Sequence, residues 1–574
     1  MTIIETLNNI LQNVLQKLSY DGKNAFFQYS DRPDLSDFQT NCAMALCKIL
    51  KKSPVEIAEN IKKELENNNL FEKISVDGPG FINVTIKNDE LCKLINNTIN
   101  DDKCGYKRED KSKTVVIDFG GYNVAKEPHV GHLRSTVIGE SIRRIYVFCG
   151  DNVIGDVHLG DWGLQMGMVI EGIRLKYPNA KCFQDGFNDD KITDLNITPA
   201  ELTEIYRSSS AKSKEDEEFS KNVHDTTTKL QNGYKPYNVL FKYFTNISIV
   251  DLKELTEDVL KTHFDVWDGE SSVADLMKIM FRNLVNQGVV KESQGAWIVD
   301  LSDMESDIPP VIVKNNTGAF MYATSDMATI LNRIQRYNCD LMLYIVDSRQ
   351  SLHFKQVFLA CKKIGLLNEK HKAEHCPFGT MNGKDNKPFK TRSGETVKLR
   401  DLINDTIVKI EEKSTVKDKD TVTKIAVACL KFADLINYRE SNYIFDLEQF
   451  TNYEGKTGAY LLYGVVRINS VLKNNDIRDL KITHVKVKEE RDLLIELGKF
   501  VDVVKSTYDK KAPNYLAEYV YKLVKKFSSF YASCNINSEG DKDYKNSKLA
   551  LVYVTRQYIT TCLDLLGIDT VEKM

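Results

Sequence analysis

The spacing of apolar and polar positions changes several times along the chain, and each change predicts an element. In the first hundred residues, Ile4–Leu18, Asp37–Leu50 and Val55–Asn68 carry apolar residues at helical spacing, and Gly80–Ile86 reads as a strand. The β-branched run Val115-Val116-Ile117 predicts a buried strand. Pro128 suits a helix start, because its missing N–H would have had no helical partner. Leu133, Ile138, Ile142, Ile145 and Cys149 then roughly keep helical spacing. Further strands are predicted near Val153 and at Leu341–Val346. Such alternation implies a parallel sheet with its ligand site beyond the strand C-termini. Residues 176–274 are polar and charge-rich, with a helix beginning near Lys214–Glu218. Aromatics recurring from Phe219 through Phe244 argue for a folded helical insertion over disorder. From Lys431 onward the pattern is almost entirely helical, and Leu516, Tyr519, Val520, Leu523, Phe527 and Tyr531 trace one apolar face. The expected architecture is a small α/β N-terminal domain (1–105) followed by an α/β Rossmann-like parallel-sheet domain (106–435) interrupted at about 176–274. An all-α helix bundle (436–574) completes it.

Composition narrows the class. At 574 residues the chain exceeds a single core, and 42% hydrophobic with 28% charged residues is a soluble globular balance. No apolar run approaches the roughly 20 residues of a membrane span, and Thr2-Ile3-Ile4-Glu5 carries an early acid in place of a basic signal region. No membrane partner and a cytoplasmic location are therefore expected. A net charge of −3 does not announce nucleic acid globally. The 12 cysteines form no Cys-x-x-Cys, which argues against structural zinc and for reduced thiols.

The loop between Asp118 and the following helix has the chemistry of an anion site, because free backbone N–H groups and the helix dipole both face it. His129, His132 and Lys126 add donors suited to a triphosphate that gains charge during reaction. Tyr322 and Asp326 are four apart and share a helix face, where a carboxylate beside a phenol can hold a guanidinium. The glycine- and lysine-bearing stretch 384–397 suits a loop that closes over phosphates.

The string Asn-Val-Ala-Lys-x-x-His-Val-Gly-His-Leu-Arg-Ser at 123–135 resembles the nucleotide-binding signature of arginyl-tRNA synthetases, a class I aminoacyl-tRNA synthetase family. The resemblance extends through 158–165, 320–353 and 384–399 and, more softly, through the helical tail. It implies that Tyr322 and Asp326 recognise the arginine side chain, with Asn123 and Gln350 completing the amino-acid pocket. Asp118 would meet the α-amino group, and His132 would touch both arginine and ATP. His129, Gly131, Gln165 and His353 would line the ATP side. Lys126, His129, His132, Lys390 and Arg392 would stabilise charge on the phosphates. Ser393 stands where some relatives carry a final signature lysine, and Lys126 resembles the lysine that compensates for its loss. Gly121-Tyr122 departs from the usual small residue and proline, which changes loop stiffness.

The implied reaction is ATP-dependent ligation of L-arginine to tRNA(Arg) through an arginyl-adenylate, releasing AMP and pyrophosphate. Mg²⁺ would accompany ATP, with no tightly bound protein metal. The helical tail would bind the anticodon, the N-terminal domain would meet the tRNA elbow, and a monomer is expected. A different His-x-Gly-His nucleotidyltransferase would share the strand–loop–helix but needs neither the helical tail nor the Tyr322/Asp326 pair.

Overall fold

The computed structural model describes residues 2–387, 389, 397–473 and 475–574. At its centre lies a four-stranded parallel sheet, in the order Lys372–His375, Leu341–Tyr344, Thr114–Asp118, Asn152–Asp156. The register sets Tyr344 beside Asp118, and Asp118 beside Asp156, so these residues form one row at the strand C-termini. Period-2 alternation decides what each face buries. Val115, Ile117, Leu343 and Ile345 join one core cluster, while Val116, Met342 and Tyr344 join a second with Met327, Ile330 and Val357. Covering of both faces explains why the strands read as unbroken apolar runs.

The Val130–Phe148 helix follows the central strand and is buried nearly all round, including Arg134 and Glu140. That is why its apolar spacing in sequence is only roughly helical. Arg134 pairs with Asp434 at 2.9 Å, and Glu140 with Arg143 at 2.8 Å and Arg144 at 2.6 Å.

The insertion is folded and helical, with helices Pro199–Glu215, Glu217–Gln231 and Lys235–Lys253. The helix expected to begin near Lys214 begins at Glu217, because the Asp216 side chain caps it by accepting from Phe219 N–H. Two differences from the sequence reading have local causes. Phe38–Thr40 is a strand where a helix was expected, since Phe38 and Thr40 pair with Val84 and Ile82 and that helix begins at Cys42. A three-stranded antiparallel sheet (Val290–Ser293, Ala296–Val299, Val311–Lys314) also lies between the insertion and the helix Tyr322–Tyr337. Its first turn puts Gln294 and Gly295 at φ 51° and 78°, a tight-hairpin geometry in which Gln-Gly is a weaker signal than Asn-Gly.

The N-terminal unit is a four-stranded antiparallel sheet (Gln28–Tyr29, Phe38–Thr40, Phe81–Ile86, Phe71–Asp77) packed with helices Ile3–Lys17 and Pro54–Leu65. The C-terminal bundle includes Gly458–Lys473, Asn514–Ser533 and Lys542–Leu565, with the helix Lys419–Leu435 packed against Gly458–Lys473. Leu516, Tyr519, Val520, Leu523 and Phe527 are buried as the stripe predicts, but Tyr531 is 38% exposed with Arg467 over its ring. Among the described residues, no helix is long and apolar enough to cross a membrane.

Candidate active site

The site forms where the loops leave the C-terminal ends of the parallel strands. After Asp118 the chain turns through Gly120 and Gly121, at φ 91° and 61°, which glycine adopts without a Cβ penalty. Tyr122 fills the space beneath this turn; it is buried, contacts the His132 ring at 5.3 Å and hydrogen-bonds Thr136. Asn123 forms a parallel bridge with Gly160, where any Cβ would lie 2.4 Å from the Asn123 Oδ1.

His129 is the N-cap of the Val130–Phe148 helix. Its Nδ1 accepts from Gly131 N–H at 3.0 Å, while His132 Nδ1 accepts from His129 N–H at 3.0 Å. A Cβ at Gly131 would stand 2.8 Å from the His129 ring, so glycine is what lets the imidazole fold back over the helix end. The ring centroids are 4.0 Å apart. Desolvation pushes His132 down to about 3, helped by neighbouring His129, and desolvation with the charges of Arg349 and Lys126 lowers His129. Both rings are therefore neutral at pH 7. With each Nδ1 accepting, the ring proton of each is assigned to Nε2; at His132 the ring is also held by the Gly121 backbone, while the His129 Nε2–H is left as a donor for an anion. Lys126 lies on the insertion side of the loop, its Nζ 4.9 Å from the centroid of the Tyr206 ring. Lys390 and Arg392 lie outside the described residues.

Beneath the loop, buried Arg333 joins the two strand-end acids. Its Nη2 donates to Asp118 at 2.6 Å and to Asp156 at 2.7 Å, and its Nε donates to Asp156 at 3.1 Å. Burial raises the Asp118 carboxyl above its ordinary value against the pull of Arg333 and His158. Burial opposes ionisation of Asp156 as well, but Arg333 and His158 overcome it and leave that group lowered.

Tyr322 and Asp326 open the Tyr322–Tyr337 helix, with Tyr322 63% exposed at the cleft edge. Asp326 Oδ2 is 2.5 Å from His353 Nε2. Asp326 is thus tied to the helix Ser351–Lys363. Gln350 sits exposed just before that helix, in the short turn Ser348–Gln350. Ser135 Oγ links the two loop systems, accepting from Gly120 N–H and donating to the Ile345 carbonyl. Gln165 Oε1, near the start of the Leu164–Lys176 helix, is buried with no hydrogen-bond partner among the described residues.

Sequence reasoning missed three participants. Arg333 read as one of many polar helix positions. Asp161 anchors Ser271, accepting from its N–H at 2.8 Å and its hydroxyl at 2.6 Å. That anchor fixes Glu270, whose carboxyl is pushed up to about 8 by burial and by the charges of Asp326 and Asp161. The Gly160-Asp161-Trp162-Gly163 run marked the anchor in the sequence; nothing there marked Glu270.

Comparison with known proteins gives a consistent pattern. The family model described as "tRNA synthetases class I (R), catalytic domain" matches residues 94–447. "Arginyl tRNA synthetase N terminal domain" matches 3–86, and "DALR anticodon binding domain" matches 461–574. The chain is 40% identical to an "Arginine--tRNA ligase" of Francisella tularensis subsp. holarctica and 38% identical to one of Alkaliphilus oremlandii, each match covering 100% of both chains. The crystal structure of the arginyl-tRNA synthetase of Plasmodium falciparum superposes with a TM-score of 0.80 at 27% identity, covering 100% of this chain and 99% of that one. The Thermus thermophilus arginyl-tRNA synthetase shares the fold at TM-score 0.78 and 19% identity, with 100% of both chains covered.

Proposed function

The chain belongs to the arginyl-tRNA synthetase family, and from that premise we propose which of its side chains carry the reaction. It attaches arginine to tRNA(Arg), using ATP, for translation. The chemistry runs in two steps. The arginine carboxylate attacks the α-phosphorus of ATP, forming arginyl-adenylate and expelling pyrophosphate. A hydroxyl of the tRNA terminal ribose, the 2′-hydroxyl first, then attacks the adenylate carbonyl and AMP leaves. No protein nucleophile is needed, so catalysis is positioning and charge stabilisation.

One observation carries the assignment of roles: burial and the charges of Asp326 and Asp161 push the Glu270 carboxyl up to about 8, and among the described residues no protein cation is bonded to it. A guanidinium placed beside Asp326 and Glu270 favours the ionised form of Glu270 and pairs with both. Asp326 and Tyr322 take the guanidinium, and Glu270 supplies a second negative charge. Asn123 and Gln350 flank the amino acid, and Asp118, held by Arg333, takes the α-amino group. Across the cleft, the Nε2 donor of His129 meets the phosphates at the helix N-terminus, with His132 beside it and the Gly131 turn bringing the backbone close. Lys126, Lys390 and Arg392 add positive charge there. The orphan Gln165 Oε1 is an acceptor suited to an ATP-side N–H or O–H donor, and His353 bridges the ATP and arginine sides.

Mg²⁺ would arrive with ATP. Imidazoles and ammonium groups are poor ligands for a hard cation, so phosphate oxygens and water would hold it. The proposed division is 1–105 for the tRNA-contacting additional domain, 106–435 for catalysis and 436–574 for the anticodon. The proposed working form is a cytoplasmic monomer.

Arginine-dependent ATP–pyrophosphate exchange, run with and without tRNA, tests this reading. Exchange with arginine and with no other amino acid is expected; exchange indifferent to the amino acid would overturn it.

A further inference from the structure

The last insertion helix, Lys235–Lys253, touches the nucleotide loop from behind at two places. At the first, buried Ser248 accepts the N–H of Ala125 through its Oγ at 3.0 Å and donates to the Phe244 carbonyl at 3.1 Å. Ala125 is a non-glycine residue at φ 60°, in the left-handed region, three residues before Pro128. A strained backbone position persists when its surroundings hold it, and Ser248 supplies the hydrogen bond that does so.

The second contact runs through the start of the Leu399–Lys413 helix. Val397–Leu399 pairs antiparallel with the His129 segment: Val130 N–H donates to Val397 O at 3.0 Å, and Leu399 N–H donates to Pro128 O at 2.9 Å. Lys398 binds Glu127 at 2.7 Å. Arg400 donates to the Asp251 carboxylate at 2.9 Å and to its carbonyl at 3.1 Å, with Glu254 at 3.6 Å. Basic residues at the N-cap and in the first turn of a helix oppose its dipole. Lys398 and Arg400 are in that unfavourable place, and each is matched to an acid on another element. The three elements do not close on one another there. They enclose a cavity of about 170 Å³ lined by Ala125, Lys126, Glu127, Ser248, Asp251 and Arg400 among others, so polar links bridge the gap.

We infer that Ser248, Asp251 and Arg400 are positioning residues for adenylate formation, bracing the His129 loop against the insertion so that its donors meet the triphosphate in register. This rests on the placement of the phosphates at His129 and His132 proposed above. None of the three touches a reacting atom. Tyr322, Asp326 and Glu270, which would grip the guanidinium, stand on other elements, so loss of Ser248, Asp251 or Arg400 acts on ATP and on turnover far more than on arginine binding.

The test is ATP–pyrophosphate exchange by the full-length enzyme with tRNA present. The variants are Ser248→Ala, Arg400→Met, Arg400→Lys and His129→Ala, each checked by thermal unfolding and by arginine binding without ATP. Ser248→Ala and Arg400→Met are expected to lower kcat on the order of 10- to 100-fold and to raise the KM for ATP, because sub-ångström misplacement of a catalytic loop is costly. The KM for arginine changes far less than that for ATP, and Arg400→Lys recovers much of the loss. If Arg400→Met fails to fold, Ser248→Ala and Arg400→Lys carry the comparison. Unchanged kinetics in both Ser248→Ala and the folded Arg400 variants, while His129→Ala is slow, overturn the brace alone. Exchange unaffected by His129→Ala overturns the phosphate placement and the brace with it. A rise in arginine KM parallel to the ATP effect also overturns the brace, since that marks general loosening.

Discussion

Asp326 is paired with the His353 imidazole, and that contact bears on the chemistry of the proposed arginine pocket. His353 takes Oδ2, so in the proposed pocket Oδ1 of Asp326 and the raised Glu270 carboxyl would take the guanidinium. Removing the charge of Asp326 by Asp326→Asn is expected to raise the KM for arginine about 30-fold or more, because breaking a desolvated charge pair strands its partner. The KM for ATP stays near that of the wild type, which steady-state exchange measures directly. Glu270 makes a second prediction, in pH. Its carboxyl stands at about 8, so at pH 7 it is mostly protonated in the free enzyme. A bound guanidinium favours the ionised form. Arginine binding therefore releases a proton near neutrality, and affinity climbs with pH until the free carboxyl has ionised, levelling above about 8. Calorimetry in buffers of different ionisation enthalpy reads the proton, and Glu270→Gln abolishes both the release and the slope. The phosphate side is tested by His129→Ala, expected to slow adenylate formation about 10²- to 10³-fold for loss of one preorganised donor. An unchanged single-turnover rate would remove His129 from the mechanism.

At the scale of elements, what was legible in sequence was local. The β-branched strand, Pro128 and the apolar positions after it lie within one strand–loop–helix unit, so periodicity and turn chemistry revealed it. Tyr322 and Asp326 were visible for the same reason, as an i, i+4 pair on one helix. Glu270 and Arg333 were not, because their partners sit on other elements and no spacing connects them. The Gln294-Gly295 hairpin escaped because the residue before its glycine is not one of the usual left-handed formers. Gly160 shows how two elements meet at the site: its missing side chain makes room for Asn123. Gly160→Ala is expected to displace Asn123 and raise the KM for arginine, with secondary structure by circular dichroism unchanged. An unaltered KM would show that Asn123 does not serve the pocket.

Across the whole molecule, the helix that presents His129 is also bolted to the C-terminal bundle. Arg134 and Asp434 form a buried pair 300 residues apart in sequence, and Tyr443 donates to the same carboxylate at 3.0 Å. Near the other end of that helix, Ser141 donates to the Leu565 carbonyl at 3.0 Å and Arg144 holds Asp564 at 2.7 Å. Arg491 joins the bundle to Asp37 of the N-terminal unit at 2.6 Å. Order of units along the chain was readable from the change of period. These long-range links were not, since a buried arginine looks like any surface arginine in sequence. Asp434→Ala leaves Arg134 charged and unpaired in the interior and is expected to cost about 3–5 kcal/mol. Denaturant unfolding followed by a probe in the bundle checks this, and an unshifted midpoint would show that the pair adds nothing to stability.

The claim that matters most is that negative charge at Asp326 selects the amino acid. Arginine and citrulline share a shape and differ in charge, so their exchange rates in wild type and Asp326→Asn decide it. The wild type is expected to favour arginine on the order of 10³-fold or more, as a polar site rejects a ligand that leaves its groups unpaired, and the variant to lose most of that preference. A variant that keeps the wild-type ratio would contradict the account.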